Sequence, residues 1–249
     1  MTDISIVVPC YNEEARIDSQ QIDRYLVSDK SAGVELTLVN DGSTDRTLEV
    51  LRAIEAKHPG RVRVLDQQPN QGKAEAVRLG MLDSIDRGAR YAGYWDADLA
   101  TPLEAIAEFA AVLDDRRDID LVMGARVALL GRHIDRSRVR HYLGRVFATA
   151  ASMALALPVY DTQCGAKLLR VTAISRSLFE EPFASRWIFD VELIARYLRV
   201  GRGPGAVFEL PLQQWTDVGD SKVNARDFVR AIGEMITTYR TYPPRSRGE

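Results

Sequence analysis

Two aspartates one residue apart, Asp96 and Asp98, follow an apolar, aromatic run ending at Trp95 and precede Thr101-Pro102, which is typical of a helix start. In an open α/β sheet, ligands bind outside the carboxyl ends of the strands, where the chain turns from strand to helix. Two carboxylates there give a hard divalent cation two oxygen ligands and leave its other positions for phosphate and water. Such a cation neutralises a diphosphate leaving group. The placement therefore predicts a metal site at Asp96 and Asp98, with Asp98 as a catalytic residue.

The same D-x-D pattern occurs again at Asp118-Ile119-Asp120 and provides an internal comparison. This copy precedes the strand pattern Leu121-Val122-Met123 instead of following one, which puts it at the opposite edge of the sheet. The triplet alone is a weak signal, because about one chance match is expected in such a chain. A helix N-cap carboxylate with a solvated neighbour is the alternative interpretation of Asp96 and Asp98.

Polar residues also follow three other predicted strands, and together they suit a nucleotide diphosphate. Tyr11 can stack on a base, and Glu13 or Asp41 can accept hydrogen bonds from ribose hydroxyls or a base N–H. Lys73 opens a predicted helix, whose N-terminus favours phosphate. Each residue also has a simpler interpretation: Tyr11 covers the core, Asp41 fixes its turn and Lys73 is solvated. Their convergence at one sheet edge favours a donor site, with candidates Pro9, Tyr11, Glu13, Asp41, Lys73 and Asp96.

Six arginines and one acid, Asp135, lie between residues 126 and 145, a local surplus of +5 in a chain of net charge −2. The planar fork of arginine suits phosphate, and converging guanidiniums form an anion site. An apolar helix predicted at Val146–Leu157 follows, and a phosphate clamp beside an apolar helix suits a lipid phosphate at a membrane surface. A solvated basic face is the alternative for most of these arginines. Arg126, which closes a strand, and Arg140 are the candidates for an acceptor phosphate.

Two further aspartates, Asp161 and Asp190, are catalytic candidates whose role depends on the acceptor. A hydroxyl acceptor has a very high pKa and needs a positioned carboxylate base, which one of the two would supply. A phosphate monoester has a second pKa of about 6 and is largely a dianion at neutral pH. Such an acceptor needs alignment, charge neutralisation and exclusion of water, and no strong base. Asp161 and Asp190 would then position other groups or bind arginines.

A parallel sheet is needed to bring these residues together, and the pattern of the chain predicts one. Strands are expected at residues 4–9, 35–40, 61–65, 91–95, 121–125, 167–169 and 207–210. In the first half they alternate with helical patterns of about 10–15 residues, which is typical of βαβ units with right-handed crossovers. A closing helix is expected from Ala225. The fold class is therefore α/β, with a mostly parallel central sheet flanked by helices in a single domain.

The bulk composition limits the class of protein. With 249 residues, 46% of them hydrophobic, the chain suits one catalytic domain, expected at residues 1–240, with a flexible tail at 241–249. The net charge of −2 argues against a nucleic-acid partner. Two cysteines and no secretory signal favour the cytoplasm. The longest apolar stretch is about half the ~20 residues that a membrane span needs, so contact with the inner face of the cell membrane would be peripheral.

Absent motifs argue against several enzyme classes. No G-x-G-x-x-G follows the first strand, as a dinucleotide-binding dehydrogenase would require, and no P-loop sequence G-x-x-x-x-G-K-[ST] is present. The three histidines are scattered along the chain, which gives little support to a zinc site or a Ser-His-Asp triad.

The strand-exit motifs resemble those of the family 2 inverting glycosyltransferases, which have the GT-A fold. The shared segments are Val7-Val8-Pro9-x-Tyr11-Asn12-Glu13, Asn40-Asp41-Gly42-Ser43, Asn70-x-Gly72-Lys73 and Asp96-x-Asp98. In the second half, residues 161–168 and 186–193 resemble segments of the dolichyl-phosphate β-glucosyltransferases, and dolichyl-phosphate mannose synthases are similar more loosely. The resemblance runs from residue 4 to residue 240.

This resemblance implies an inverting, metal-dependent transfer of glucose from UDP-glucose to a polyprenyl phosphate of the dolichyl type, with Mg²⁺ or Mn²⁺ as cofactor. It implies that Asp41 and Glu13 contact the nucleoside and that Asp96 and Asp98 serve the cation and the diphosphate. It also supports Arg140 and Lys222 at the acceptor phosphate.

Three departures from the family pattern accompany the resemblance. Asn40 stands where the family often has an aspartate, and Asp220 replaces a glycine in the segment that ends at Lys222. Many relatives also carry membrane-spanning segments, which this sequence does not show.

Several alternatives stay open at this point. A soluble glycosyltransferase with a non-lipid hydroxyl acceptor is favoured by the missing membrane spans. A GDP-mannose-dependent polyprenyl-phosphate mannosyltransferase shares the same general motifs. A nucleotidyltransferase would need a glycine-rich first loop, which is absent, and the intact Asp96, Asp98 and Asp190 weigh against a sugar-nucleotide-binding regulator without catalysis.

Overall fold

A seven-stranded β-sheet forms the centre of the protein. The computed structural model describes residues 3–135, 138–186, 188–216 and 225–243, the side chains of 138–143 and 225–230 excepted. The strands are β1 Ile4–Cys10, β2 Val34–Asp41, β3 Val62–Gln67, β4 Tyr91–Trp95, β5 Leu121–Ala125, β6 His133–Asp135, β7 Ala166–Arg170, β8 Val207–Pro211 and β9 Gln214–Thr216. The α-helices are α1 Ser19–Leu26, α2 Thr47–Lys57, α3 Lys73–Asp86, α4 Ile106–Asp115, α5 Arg138–Leu155, α6 Ser177–Glu180, α7 Phe189–Val200 and α8 Ala225–Thr241.

The order of the strands determines which chain ends meet. The sheet runs β3-β2-β1-β4-β7-β5-β8, while β6 and β9 pair separately as a short parallel ribbon. Within the large sheet, β7 runs antiparallel to β4 and β5, and the other six strands point the same way. The carboxyl ends of those six strands therefore share one edge, here called the exit edge. β7 starts at the exit edge, where Ala166 pairs with Trp95. The expected mostly parallel α/β sheet is confirmed.

Alternating side chains divide the core between the two faces of the sheet. On β1, Ile6, Val8 and Cys10 belong to the core on one face, where α1, α2 and α4 pack, and Val7 belongs to the core on the other. Helices α3, α5, α7 and α8 contribute to that second core. Strands β2, β4 and β5 are buried along their whole length, as expected for a sheet covered on both faces. This packing leaves the strand ends as the places where polar side chains can meet a ligand.

Two element boundaries differ from those expected. β2 continues through Asp41, which is the last residue of a buried strand and not part of the turn. Helix α5 starts at Arg138 instead of Val146, because arginine is a good helix former and a surface helix needs apolar residues on only one face.

No helix within the described ranges combines the length and apolar character needed to cross a membrane. Residues 244–249 of the expected tail lie outside the described residues.

The second D-x-D triplet lies at the edge opposite the exit edge, immediately before β5. Asp120 accepts hydrogen bonds there from the Tyr197 hydroxyl at 2.8 Å and from Arg202 Nε at 2.8 Å. Asp118 pairs on the surface with Arg116. The predicted position of this triplet at the opposite edge is confirmed, and both aspartates pair there with neighbouring side chains.

Candidate active site

The carboxylate pair lies in the tight turn that follows β4. The Asp96 N–H donates to the Gly165 carbonyl at 3.0 Å, and the Leu99 N–H donates to the Asp96 carbonyl at 3.1 Å. Leu99 has a positive φ of 50°, and Asp98 Oδ1 accepts the Ala100 N–H at 3.1 Å. The backbone of this turn is therefore fixed, and both aspartates stand at the exit edge.

The local environment of the pair suits a hard cation. Burial, with the nearby charge of Asp96, raises the pKa of Asp98 above its usual value. Asp96 Oδ1 is buried and accepts no aligned hydrogen bond, although it is in ion contact with Lys73. Among the described residues, no group of three or more His, Cys, Asp or Glu side chains could hold a metal ion. A cation at Asp96 and Asp98 would therefore need further ligands from substrate, from water or from residues outside the described ranges.

Lys73 brings a positive charge to this carboxylate pair. It is the first residue of α3, its ammonium group contacts Asp96, and it lies 5.8 Å from the centre of the Phe189 ring. Partial burial lowers the pKa of Lys73, but the charges of Asp96, Asp190 and Asp98 outweigh this effect and leave the pKa raised. Lys73, Asp96, Asp98 and Asp190 thus form one charge cluster at the exit edge.

The Asp41 carboxylate is held by hydrogen bonds within the protein. Its two carboxylate oxygens accept four hydrogen bonds at 2.8–3.1 Å from the end of β3 and the loop that follows it. The donors are Gln67 Nε2, Asn70 Nδ2, Gln71 N and Gly72 N. Burial raises its pKa despite these bonds. In this structure Asp41 fixes the loop that leads into Lys73.

The chain approaches this loop closely at Gly42. The residue has a positive φ of 63°, and a Cβ there would overlap the backbone of Asn70. Only glycine fits both conditions without strain. The Asn40-Asp41-Gly42 segment therefore orders the donor side of the site.

The first strand exit presents the remaining donor candidates. Pro9 lies within β1, and the Tyr11 ring behind it is 41% exposed and accessible for stacking. The Glu13 N–H donates to Thr47 Oγ1 at 2.8 Å, and its carboxylate pairs with Arg16 at 3.3 Å. The Arg16 charge also acts on Asp98, so the Glu13 segment and the carboxylate pair are neighbours.

On the other side of the carboxylate pair, Arg126 and Asp161 form a bidentate ion pair. Arg126 Nε and Nη2 donate to the two Asp161 oxygens at 2.6 and 2.8 Å, and the Arg126 guanidinium lies 5.3 Å from the Trp215 ring. Glu209 on β8 accepts the Asp161 N–H at 2.8 Å and holds this segment in place. Arg126 and Asp161, proposed separately from the sequence, are therefore direct partners.

Asp190 is buried in a second ion pair that the sequence did not indicate. Its partner is Lys167, a fully buried lysine whose ammonium also donates to the Thr162 and Cys164 carbonyls at 3.0 and 2.8 Å. The Tyr94 hydroxyl donates to Asp190 Oδ1 at 2.5 Å. The available signal for this pair was a lysine next to apolar residues inside the strand Ala166–Arg170.

The structure therefore brings most of the candidates to one edge. Asp96, Asp98, Lys73 and Asp190 form the charge cluster, and Arg126 with Asp161 lies next to it along the sheet. The side chain of Arg140 and the whole of Lys222 lie outside the described residues.

Gly165 joins the two sides of the site. Its backbone packs on the Asp96 carboxylate so closely that an added Cβ would overlap the carboxylate oxygens. Any movement of residues 161–165 would therefore displace the carboxylate of Asp96, one of the two predicted metal ligands.

Comparison with known proteins gives this geometry a family context. The model of glycosyl transferase family 2 matches residues 5–178. A dolichyl-phosphate beta-glucosyltransferase of Drosophila melanogaster is 35% identical over 236 residues, covering 89% of this chain and 69% of that protein. One from Trichomonas vaginalis is 33% identical over 247 residues, covering 93% of this chain and 69% of that protein.

Solved structures agree with the architecture. Glucosyl-3-phosphoglycerate synthase from Mycobacterium tuberculosis, in complex with Mn²⁺, UDP and glucosyl-3-phosphoglycerate, matches with a TM-score of 0.67 and 21% identity, over 99% of this chain and 82% of that one. A mannosyltransferase from Pyrobaculum calidifontis, in complex with GDP-Man and Mn²⁺, matches with a TM-score of 0.64 and 18% identity, over 96% of this chain and 63% of that one. At these identities the likeness supports the GT-A fold. The matched family model and the relatives above 30% identity show that this chain is a glycosyltransferase and belongs to glycosyl transferase family 2.

Proposed function

We propose that the protein transfers glucose from UDP-glucose to a polyprenyl phosphate of the dolichyl type, with inversion at the anomeric carbon and with a divalent cation. The names of the relatives support the sugar and the acceptor class. The observation that carries the proposal is the state of the two candidate bases. Asp161 is held by Arg126 and Asp190 by Lys167, so each carboxylate already has a cationic partner.

The chemistry of the acceptor explains why this pairing matters. A carboxylate held by arginine or a buried lysine is a poor proton acceptor, because protonation would break the ion pair. A hydroxyl acceptor would need such a base, whereas a phosphate monoester with a second pKa of about 6 is already ionised. One oxygen of that phosphate would attack the anomeric carbon while the bond to the diphosphate breaks, and UDP would leave with the bonding electrons. No proton has to be removed in this step.

On the donor side, Asp96 and Asp98 would hold the cation, Mg²⁺ or Mn²⁺, and this cation would neutralise the charge that develops on the diphosphate. The two carboxylates fit this role, because they are hard oxygen ligands and stand together in the turn that follows β4. The N-terminus of α3 and Lys73 suit the diphosphate. Tyr11 and Glu13 suit the nucleoside, while Asp41 would act by holding the loop beside it.

On the acceptor side, Arg126 is the best-placed phosphate ligand. Its Nε and Nη2 bind Asp161, and within the described part of the chain Nη1 makes no hydrogen bond and can meet an anion. Arg145 stacks on the Tyr160 ring at 4.1 Å, which brings the arginine-rich start of α5 beside the Asp161 segment. Arg140 and Lys222 are proposed as further phosphate ligands on the family resemblance.

A lipid acceptor also requires a surface that meets the membrane. Helices α5 and α8 pack against each other, and each presents exposed apolar residues. These residues are Val146 and Met153 on α5 and Ile232, Ile236 and Tyr239 on α8. We propose that this pair of helices makes the peripheral contact with the cytoplasmic face of the membrane.

A direct assay tests the proposal. Purified protein is incubated with UDP-glucose or GDP-mannose, Mn²⁺ or Mg²⁺, and either a polyprenyl phosphate or the polyprenol that lacks the phosphate. We expect glucosylation of the phosphate and none of the alcohol, together with a rise in the melting temperature when UDP-glucose and Mn²⁺ bind.

The pH profile separates the two acceptor classes. With a phosphate acceptor, the acid limb reports the acceptor near pH ~6 and persists in Asp190→Asn and Asp161→Asn. Transfer to the alcohol, with loss of the acid limb in one of these variants, would contradict the proposal and favour a hydroxyl acceptor. Preference for GDP-mannose would overturn the assigned sugar.

A further inference from the structure

We propose that Lys73 exchanges between two anionic partners and thereby makes metal binding depend on the donor. In the free enzyme Lys73 is the counter-cation of Asp96, and the divalent cation and the diphosphate displace it together. This inference rests on the proposed donor and metal site.

The contact that supports the exchange is specific. The Lys73 ammonium group lies against Asp96 Oδ1, one of the oxygens that would ligate the cation. An ammonium group and a divalent cation repel each other, and the repulsion is strongest when both contact the same carboxylate oxygen. Lys73 therefore opposes binding of the cation at Asp96 for as long as it stays in contact with this oxygen.

The surroundings show that Lys73 is able to move. Its side chain is 42% exposed and has a long, flexible stem. The other lysine near the cluster, Lys167, is fully buried and bound to Asp190 and two carbonyl groups, so it cannot take over the role. Of the two lysines, only Lys73 can therefore change its partner.

The position of Lys73 on its helix also identifies its second partner. A lysine at the first residue of a helix is unfavourable, because the N-terminus carries a partial positive charge. Here the contact with Asp96 compensates for that cost. When the cation replaces Lys73, a diphosphate at the N-terminus of α3 would satisfy both the helix and the released ammonium group.

A consequence follows for the order of binding. In wild-type protein the cation alone has to compete with Lys73, so its binding is weak without nucleotide. With UDP present, Lys73 gains a phosphate partner and the competition ends. Lys73 thus weakens binding of the metal alone and strengthens binding of UDP with the metal. Removing Lys73 should therefore raise the affinity for the metal alone and lower the affinity for UDP.

The test compares wild-type protein with Lys73→Met and Lys73→Gln. Lys57→Met is the matched control, because Lys57 is an exposed lysine paired with Asp23 at the end of α2. Mn²⁺ binding is measured without nucleotide by electron paramagnetic resonance, and UDP binding is measured by calorimetry at saturating Mn²⁺. Circular dichroism and the melting temperature confirm that each variant is folded.

We expect both Lys73 variants to bind Mn²⁺ alone at least about fivefold more tightly than wild type, because a competing positive charge is gone. We expect them to bind UDP about tenfold more weakly, because a charge-assisted phosphate contact is lost. Lys57→Met should match wild type in both measurements.

The exchange would be overturned if the folded Lys73 variants bind Mn²⁺ alone no more tightly than wild type does. It would also be overturned if Mn²⁺ binding is undetectable in the variants and in wild type alike. This failure is distinct from failure of the proposed function. If wild-type protein binds no UDP in Mn²⁺, the donor assignment is wrong and the exchange falls with it. If wild-type protein binds UDP and transfers glucose but the Mn²⁺ measurement shows no gain, only the exchange is wrong.

Discussion

At the scale of single residues, stability and catalysis oppose each other at Asp98. Burial and the charge of Asp96 raise the pKa of Asp98 in the folded protein. The folded state is therefore most stable at a pH below the ordinary aspartate pKa, where Asp98 is protonated. This stabilisation is lost as the pH rises through the raised pKa. At neutral pH the carboxylate is therefore destabilising. Asp98→Asn should abolish transfer and Mn²⁺-dependent UDP binding while raising the melting temperature by a few degrees, measured at pH 7.

Asp118→Asn is the matched control for this prediction, because it alters the same sequence pattern at the opposite edge of the sheet. It should leave the transfer rate close to that of wild type. Equal loss of activity in both variants would show that placement at the exit edge does not matter.

Arg126 is the second residue whose role can be isolated. Arg126→Ala should lower kcat/KM for the polyprenyl phosphate by tens to hundreds of fold, on the order of 2–3 kcal/mol, because a charge-assisted contact is lost. We expect a smaller effect on UDP binding, because Arg126 is paired with Asp161 and lies on the side of the carboxylate pair away from Tyr11 and Glu13. Arg116→Ala, which removes an exposed arginine paired with Asp118, is the control. A kcat/KM that is unaffected by loss of Arg126 would remove it from the acceptor site.

At the scale of elements, the antiparallel strand β7 decides how the two halves of the site meet. It brings Gly165, the residue before β7, against Asp96, the residue after β4. Gly165→Ala should force the Asp96 carboxylate to rotate, because the new methyl group overlaps it. We expect Mn²⁺-dependent UDP binding to fall at least about tenfold, since a ligand that is displaced by 1 Å loses much of its contribution.

Gly205→Ala tests whether this effect is specific. An added Cβ at Gly205 meets no atom within 4 Å, and its φ is not positive. This variant should bind UDP and Mn²⁺ as wild type does. A Gly165→Ala protein that keeps full donor affinity would show that Asp96 tolerates displacement.

At the scale of the whole molecule, the exposed apolar residues of α5 and α8 should govern contact with lipid. Replacing Ile232 and Ile236 with serine should reduce the fraction of protein bound to anionic vesicles by at least about threefold, because apolar burial is lost at the interface. The measurement is vesicle sedimentation at rising salt, where the electrostatic part weakens as the screening length falls below ~10 Å.

Val27→Ser supplies the comparison, because Val27 is 77% exposed at the end of α1, a helix on the other face of the sheet. This change should leave vesicle binding as it is in wild type. Equal reduction in both proteins would mean that α8 is not the contact surface, and no binding by wild type would favour a non-lipid acceptor.

The sequence by itself determined the parallel half of the sheet and the position of the carboxylate pair. Each strand of a βαβ unit ends at the same edge, so local patterns were enough to predict that Asp96, Asp98 and Lys73 converge and that Asp118 does not. Local patterns also predicted Arg126 and Asp161, but as separate candidates. Nothing in the spacing of residues 126 and 161 indicates that the two side chains are in contact.

Only the tertiary structure decided the pairings. Arg126 and Asp161 are 35 positions apart and Lys167 and Asp190 are 23 apart, and both contacts depend on where strand β7 is inserted in the sheet. Asp41 likewise accepts bonds from a loop about 30 positions away, which no periodicity indicates. Hydrophobic alternation records which face a residue takes, whereas the partner of a buried charge is set by strand order and register, and these arise only when distant segments pack together.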